Sequence, residues 1–251
     1  MSLYNKEYMF FLILHRMGMS GQGFTFRRFS VRQDKCAMKV GTDGVLLGAW
    51  AAGGRNILDV GTGTGLIALM MAQRFEKATV CGIDTDEDAC RQAQENISES
   101  PFARRIEIEH VRLQDFSARI SFDSIVSNPP FFTDSLKCPD ARRSVARHAD
   151  TLPYSDLFGS VTRLLTEDGV FSVVIPTEAE KNFCAEASIY GMLEIKRCVV
   201  KTVPRKSPKR MLLSFARRRV GERVPENVCL FDDDGNKSEW YRSLTEDFYI
   251  K

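Results

Sequence analysis

Two residue patterns in this chain are suited to chemistry. Asn128-Pro129-Pro130-Phe131 closes the apolar run Phe122 to Ser127, and Asp59-Val60-Gly61-Thr62-Gly63-Thr64-Gly65 closes an earlier one. The amino group of a planar base or an amide is a poor nucleophile, because its lone pair is delocalised into the π system. Two acceptors on its hydrogens, here the side-chain oxygen of Asn128 and the carbonyl of Pro129, can pull the nitrogen toward tetrahedral geometry. Pro129 and Pro130 stiffen the loop and offer no N–H that would compete with the substrate's donors. Phe131 can stack on a flat target, worth about 1–3 kcal/mol per base on comparable aromatic platforms. Orienting two bound reactants can supply up to about 7–11 kcal/mol of barrier lowering. Asn128, Pro129, Pro130 and Phe131 are therefore the candidate catalytic loop, and the chemistry they suit is methylation of a nitrogen.

The earlier loop suits the methyl donor. Gly61, Gly63 and Gly65 let the backbone turn tightly and approach a ligand at the carboxyl end of a first strand. Their spacing is Gly-x-Gly-x-Gly, whereas dinucleotide folds use Gly-x-Gly-x-x-Gly, which disfavours a nicotinamide oxidoreductase. S-adenosylmethionine carries no phosphate; it needs a carboxylate near its charged amino-acid end, which Asp59 can supply directly or through water. Asp84, about twenty residues on, is placed to accept both ribose hydroxyls. Asp115 follows the third strand, within reach of an adenine amino group. Asn128 borders the same cofactor.

These loops need strands and helices to hold them. Asn56 to Val60 reads as a strand and Leu66 to Phe75 as a helix. Ala78 to Ile83 is a second strand, and Asp86 caps a helix running to about Ser98. Ile106 to Leu113 alternates and is a third strand; Phe122 to Ser127 is a fourth. A helix over Ser155 to Leu165 precedes a fifth, almost wholly apolar strand, Gly169 to Ile175, of the kind buried on both faces. Pro176-Thr177 opens a helix to about Tyr190. Two longer strands, Leu193 to Thr202 and Lys209 to Arg217, are joined without a helix and should pair antiparallel at an edge. The alternation predicts a mostly parallel seven-stranded α/β sheet with that antiparallel edge pair and helices on both faces.

Composition sets outer limits. At 251 residues and 43% hydrophobic, the chain can bury one good core. Its seven cysteines are scattered and form no Cys-x-x-Cys pair, which argues against a disulfide framework or zinc site and for a reducing cytoplasm. No His, Cys and acid cluster has metal-ligand spacing, so no metal is expected, and His15, His110 and His148 read as structural or surface residues. The apolar stretch Met9 to Leu14 is too short to span a membrane. A monomer is expected.

The net charge of +2 conceals an asymmetry. Between Lys196 and Arg219 stand Lys196, Arg197, Lys201, Arg205, Lys206, Lys209, Arg210, Arg217, Arg218 and Arg219, with no acid among them. Arg142, Arg143, Arg147 and His148 form a second cluster, and Arg27, Arg28, Arg32, Lys35 and Lys39 a third. The end of the chain is acidic around Asp232-Asp233-Asp234. Several basic clusters on one enzyme point to a polyanionic substrate.

Lys39-Val40-Gly41-Thr42-Asp43-Gly44-Val45-Leu46-Leu47-Gly48, the two loops, Arg142 to His148 and Pro204 to Leu213 together carry a family likeness. From about residue 24 to 219 the chain resembles the bacterial tRNA1(Val) (adenine-37-N6)-methyltransferases, members of the small methyltransferase-domain superfamily. The resemblance implies a Rossmann-like class I methyltransferase fold and S-adenosylmethionine as cofactor. It implies N6-methylation of an adenine in the tRNA anticodon loop, at position 37. It also implies that Thr42 and Asp43 close over the cofactor, and that Arg142, Arg143, Arg147, Lys201, Arg205, Lys206, Lys209 and Arg210 grip tRNA. Phe131 stands where many amino-methylating relatives have tyrosine. Residues 1–23 are then an N-terminal extension, 24–219 the methyltransferase domain with 24–50 as a cofactor-capping segment, and 220–251 an acidic tail.

Three other functions compete. Guanine-N2 methylation of ribosomal RNA also uses Asn-Pro-Pro-Phe. A protein glutamine methyltransferase would suit the loop but usually carries a helical N-terminal domain that the segment before Phe24 is too short to form. An RNA-binding module without catalysis is opposed by the intact Asp59, Asp84 and Asn128.

Overall fold

The computed structural model describes residues 19–20, 23–36, 39–129, 152–218 and 225–250. A small hairpin sheet comes first: β1 (Met19–Ser20), β2 (Gly23–Thr25) and β3 (Ser30–Arg32), all antiparallel. Then follow α1 (Thr42–Trp50), β4 (Asn56–Val60), α2 (Leu66–Arg74), β5 (Thr79–Asp84), α3 (Glu87–Ser98), β6 (Ile106–His110) and β7 (Phe122–Ser127). The second half holds α4 (Tyr154–Leu164), β8 (Leu165–Pro176), α5 (Glu180–Ile189), β9 (Leu193–Lys201), β10 (Arg210–Ala216), β11 (Glu226–Cys229) and α6 (Glu239–Thr245).

The main sheet has the order β11-β9-β10-β8-β7-β4-β5-β6. Its centre, β8-β7-β4-β5-β6, is parallel, while β10 runs antiparallel to both β8 and β9. The expected strands and the antiparallel pair are present. Among the described residues the sheet has eight strands, because β11 adds parallel to β9 beyond the expected seven. Successive residues of the central strands enter opposite cores, the period-two signature of a sheet covered on both faces. Ile57, Val126, Val174 and Leu212 face one core with α1, α2 and α6; Leu58, Ile125, Val173 and Leu213 face the other with α4 and α5.

The fifth strand begins four residues before the expected Gly169. Phe122 pairs with Leu165, but Ser124 pairs with Val170, so the polar residues between bulge outward and hide the strand's start from an apolar-run reading. The third strand ends at His110, short of Leu113. Asp86 caps α3 as expected, accepting from the amides of Asp88 at 2.8 Å and Ala89 at 3.3 Å.

The larger difference lies at the chain ends. Described residues of the acidic segment fold onto the domain: β11 extends the sheet, and Tyr241, Phe248 and Tyr249 enter the α1 core. Tyr249 stacks with Phe26 at 6.0 Å, and the Arg27 amide donates to the Phe248 carbonyl at 2.8 Å. Apolar residues flanking the conspicuous aspartates do this, because Asp232-Asp233-Asp234 occupy only a turn closed by the Phe231–Lys237 bridge. Together these segments clamp α1, whose residues Gly44 to Trp50 are all buried.

Candidate active site

β4 and β7 are adjacent and parallel, so their carboxyl ends deliver the two loops to one place. The Ser127 hydroxyl donates to the Val60 carbonyl at 3.0 Å and ties those two ends together. Gly61, Gly63 and Gly65 have φ of 72°, 54° and 80°, left-handed values that a side chain would strain. The amides of Gly61 and Thr62 donate to the Ile83 carbonyl at 2.9 and 3.0 Å, folding the loop back over β5.

Asp59 is wholly buried beneath this loop. Its Oδ2 accepts from the Thr62 hydroxyl at 2.8 Å and the Ala68 amide at 3.1 Å, joining the loop to α2. Its Oδ1 is buried without a hydrogen-bond partner among the described residues. Burial pushes the carboxyl up to about 7, against the two hydrogen bonds and with a further push from the Asp84 charge. Asp59 therefore braces the loop from below and is not among the residues lining the cavity above it. Of the two contacts expected from the sequence, direct or through water, the geometry offers no direct one. Asp84 accepts from the Gly63 amide at 2.8 Å and the Asp86 amide at 3.1 Å, one bond per oxygen. A carboxylate has about four acceptor sites, so two remain.

The cavity above the loop has a volume of about 580 Å³. Its walls are Lys39 to Gly44, Gly61 to Thr64, Leu66 and Ile67, Asn128 and Pro129, Val174 to Pro176, and Lys209 with Arg210. Thr42 and Asp43, at the start of α1, thus meet the glycine loop and Asn128 in one space. A side chain built on Gly61 would find no atom within 4 Å, so the loop presents bare backbone to the opening. Asp84 is not among the lining residues either but stands behind Gly63, whose amide it accepts. Volume and bare backbone, with this carboxylate close by, fit a cofactor of the size and polarity of S-adenosylmethionine.

Other expected positions fall elsewhere. Asp115 is exposed and its carboxylate pairs with Arg112 at 2.7 Å; it does not line the cavity. Pro130, Phe131, Arg142, Arg143 and Arg147 lie outside the described residues, as do His15 and His148. His110 is exposed, with its ring Nε2 at 2.9 Å from the Thr85 carbonyl.

The acid-free run is not acid-free in space. Lys196 pairs with Glu226 at 3.8 Å and lies 4.2 Å from the centre of the Trp50 ring. Arg197 pairs with Glu194 at 2.6 Å and with Glu180. Arg205 faces Asp233 at 3.8 Å, Arg218 pairs with Glu167, and Arg217 donates to the carbonyls of Thr162 and Leu165. Arg210, expected on the RNA face, pairs with Asp43 at 2.7 Å. Lys201, Lys206 and Lys209 make no ion pair among the described residues, and with the exposed Arg205 they surround the β9–β10 loop beside the cavity. The third basic cluster is likewise engaged: Arg32 with Glu99 at 2.9 Å, Lys35 with Glu95 at 2.5 Å, Lys39 with the Gln33 carbonyl, and Arg27 with the Glu246 carbonyl at 2.9 Å.

Sequence reasoning missed the buried amides that hold the capping segment. Asn96 donates to the carbonyls of Arg32 and Thr64, both at 2.9 Å, and accepts the Arg32 amide at 2.8 Å. Gln92 accepts the Lys35 amide at 3.0 Å, and Gln33 accepts the Val40 amide at 2.8 Å. The signal was present: Gln92 and Asn96 sit four apart on the helix face that buries Ala89 and Ala93. The cavity walls Val174 to Pro176 gave no signal beyond ending a strand.

A glycine loop after the first strand of the parallel sheet, and Asn-Pro after the adjacent one, facing a common cavity, define a Rossmann-like methyltransferase. The methyltransferase small domain profile matches residues 40–183. A protein of Phocaeicola vulgatus called tRNA1(Val) (adenine(37)-N6)-methyltransferase is 48% identical over 235 residues, 90% of this chain and 97% of its own. One of the same name from Tolumonas auensis is 40% identical, covering 93% and 99%. A predicted O-methyltransferase of Agrobacterium tumefaciens shares the fold with a TM-score of 0.65 at 16% identity, over 82% of this chain and 96% of that one. The glycopeptide N-methyltransferase MtfA, solved with S-adenosylmethionine, superposes with a TM-score of 0.53 at 11% identity, over 70% and 95%. The chain belongs to the methyltransferase small domain family and, within it, to the group of tRNA1(Val) (adenine(37)-N6)-methyltransferases. It is an S-adenosylmethionine-dependent enzyme.

Proposed function

We propose that this protein methylates N6 of adenine 37 in the anticodon loop of tRNA1(Val), acting as a monomer in the cytoplasm. The observation that carries this reading is the convergence of the glycine loop and Asn128-Pro129 on one cavity, in a chain 48% identical to a relative of that name. When bound, S-adenosylmethionine supplies a methyl carbon already activated by a sulfonium, so no strong base is demanded of the protein. Gly61 and Gly63 present backbone to the cofactor, Gly65 turns the chain into α2 against Ala93, Asp84 accepts the ribose hydroxyls, and Thr42 and Asp43 close over the cofactor. Asp59 serves this site by holding the loop.

The side-chain oxygen of Asn128 and the carbonyl of Pro129 accept the two hydrogens of the adenine amine and aim its lone pair. Pro130 keeps the loop stiff, and Phe131 stacks on the base. Adenine N6 lies on the base-pairing edge, so the base must be unpaired or extruded at a few kcal/mol. An anticodon-loop adenine already meets that condition. Lys201, Arg205, Lys206 and Lys209, with Arg142, Arg143 and Arg147, take phosphates of the adjoining stem.

Transfer of a tritiated methyl group tests the substrate class: tRNA should be labelled, while ribosomal RNA and protein should not. Label in ribosomal RNA alone would favour guanine-N2 methylation, and label in protein an amide methylase.

A further inference from the structure

Residues Lys39 to Gly44 form one wall of the cavity, yet the local sequence does little to fix them. Gly41, the N-cap of α1, offers no side chain to the orphan amides of the first turn. Gln33 secures Val40 and Lys39 on the hairpin side. On the sheet side the ion pair of Asp43 Oδ1 with Arg210 Nε, at 2.7 Å, joins the first turn of α1 to β10.

Arg210 is well placed for that work. Its backbone lies between Val200 of β9 and Pro176 of β8, paired on both sides, so the side chain starts from a rigid base. Only 22% of the side chain is exposed, against 70% for Arg205 in the neighbouring loop. Asp43 Oδ1 is itself buried although 45% of the Asp43 side chain is exposed. It has no hydrogen-bond partner among the described residues, so its contact with Arg210 is an ion pair without hydrogen-bond alignment. Burial raises the Asp43 carboxyl while the Arg210 charge opposes the rise. Behind them, the Arg210 charge also reaches Tyr241 of α6, the helix that packs on α1. An RNA phosphate could take Arg210 only by displacing a carboxylate from a partly desolvated contact, and stripping one partner from such a pair is costly.

We propose that Arg210 is a positioning residue for methyl transfer: through Asp43 it holds the first turn of α1 against the cavity, and it contacts no RNA phosphate. This rests on the reading of that cavity as the cofactor site. The division of labour in the basic run then follows from exposure. The exposed Arg205, Lys206 and Lys209 face the nucleic acid, whereas the half-buried Arg210 faces inward and acts on the cofactor through the capping helix.

Two readouts separate this role from an RNA contact and from a general effect on folding. Arg210→Gln is expected to raise the calorimetric Kd for S-adenosylmethionine about tenfold, as loss of one partner of a partly buried ion pair would. The slope of log K against log salt for tRNA binding should stay at the wild-type value, while Lys206→Gln should flatten it by roughly one unit and leave the cofactor Kd unchanged. In an Asp43→Asn background, Arg210→Gln should add less than about twofold, because the partner is already gone. A tRNA salt slope reduced by a unit in Arg210→Gln would overturn the proposal. So would a tenfold loss of cofactor affinity that persists in the Asp43→Asn background. If Arg210→Gln does not fold, Asp43→Asn carries the test alone, and an unchanged cofactor Kd overturns it. A wild-type protein that binds no S-adenosylmethionine would overturn the reading of the cavity itself.

Discussion

Replacing Asp59 by Asn should change how stability depends on pH, because this carboxylate is buried in a place that resists its charge. Burial raises it from 3.8 to about 7, a shift worth roughly 4 kcal/mol at 1.36 kcal/mol per unit. The native value lies above the unfolded one, so the folded state holds the proton more tightly. The stabilisation is complete below the unfolded value and is lost as pH rises through about 7. Between pH 5 and pH 8 the wild type should therefore lose about 2–3 kcal/mol relative to Asp59→Asn. The amide brings its own cost, since one of its atoms meets the position where Oδ1 has no hydrogen-bond partner. That cost is independent of pH and drops out of the comparison. Urea unfolding of both proteins without cofactor, followed by the fluorescence of Trp50 and Trp240, which pack in the same core, at pH 5, 6, 7 and 8, measures the difference. A constant difference across that range would refute the reasoning, because it would mean that the carboxylate is ionised throughout.

Asp84→Ala removes the acceptor of the Gly63 and Asp86 amides along with the proposed ribose contact. Calorimetry should show S-adenosylmethionine bound at least about tenfold more weakly, since such hydrogen bonds contribute about 1.5–3 kcal/mol. Asn128→Ala should leave the fold and cofactor affinity nearly intact while single-turnover methyl transfer collapses; a wild-type rate would make the loop structural. Phe131→Tyr should be tolerated and Phe131→Ala should lose activity in the same assay. Replacing Lys201, Arg205 and Lys206 together by Gln should flatten the salt dependence of tRNA binding by about two to three units without altering the cofactor Kd. A salt-independent wild-type affinity would reduce the basic loop to a solvated surface.

The parts of the site that the sequence displays are those built from local rules. The glycine loop needs left-handed backbone, and only closely spaced glycines announce that; its neighbours β4 and β7 are short apolar runs with few other interpretations. Strand alternation along Ile57-Leu58 and Ile125-Val126 maps directly onto the two cores. What stayed hidden depends on partners remote in sequence. The run from Lys196 to Arg219 looks acid-free, but Glu226, Glu180, Glu167, Asp233 and Asp43 are brought to it by the fold. Asp59 reads as a ligand contact, direct or through water, but its burial beneath the loop turns Oδ2 toward Thr62 and Ala68, which only the fold reveals. The final segment reads as an acidic tail because three adjacent aspartates outweigh, by eye, the tyrosines and phenylalanine that seat it on α1.

The most direct test of the central claim is nucleoside mapping of tRNA1(Val) taken from a strain that lacks the enzyme. The purified protein and S-adenosylmethionine should convert adenine 37, and no other residue, to N6-methyladenine, detected by mass spectrometry of the digested RNA, and Asn128→Ala should leave that adenine unmodified. Methylation at a guanine, at another adenine, or by the Asn128→Ala variant at the wild-type rate would contradict the account.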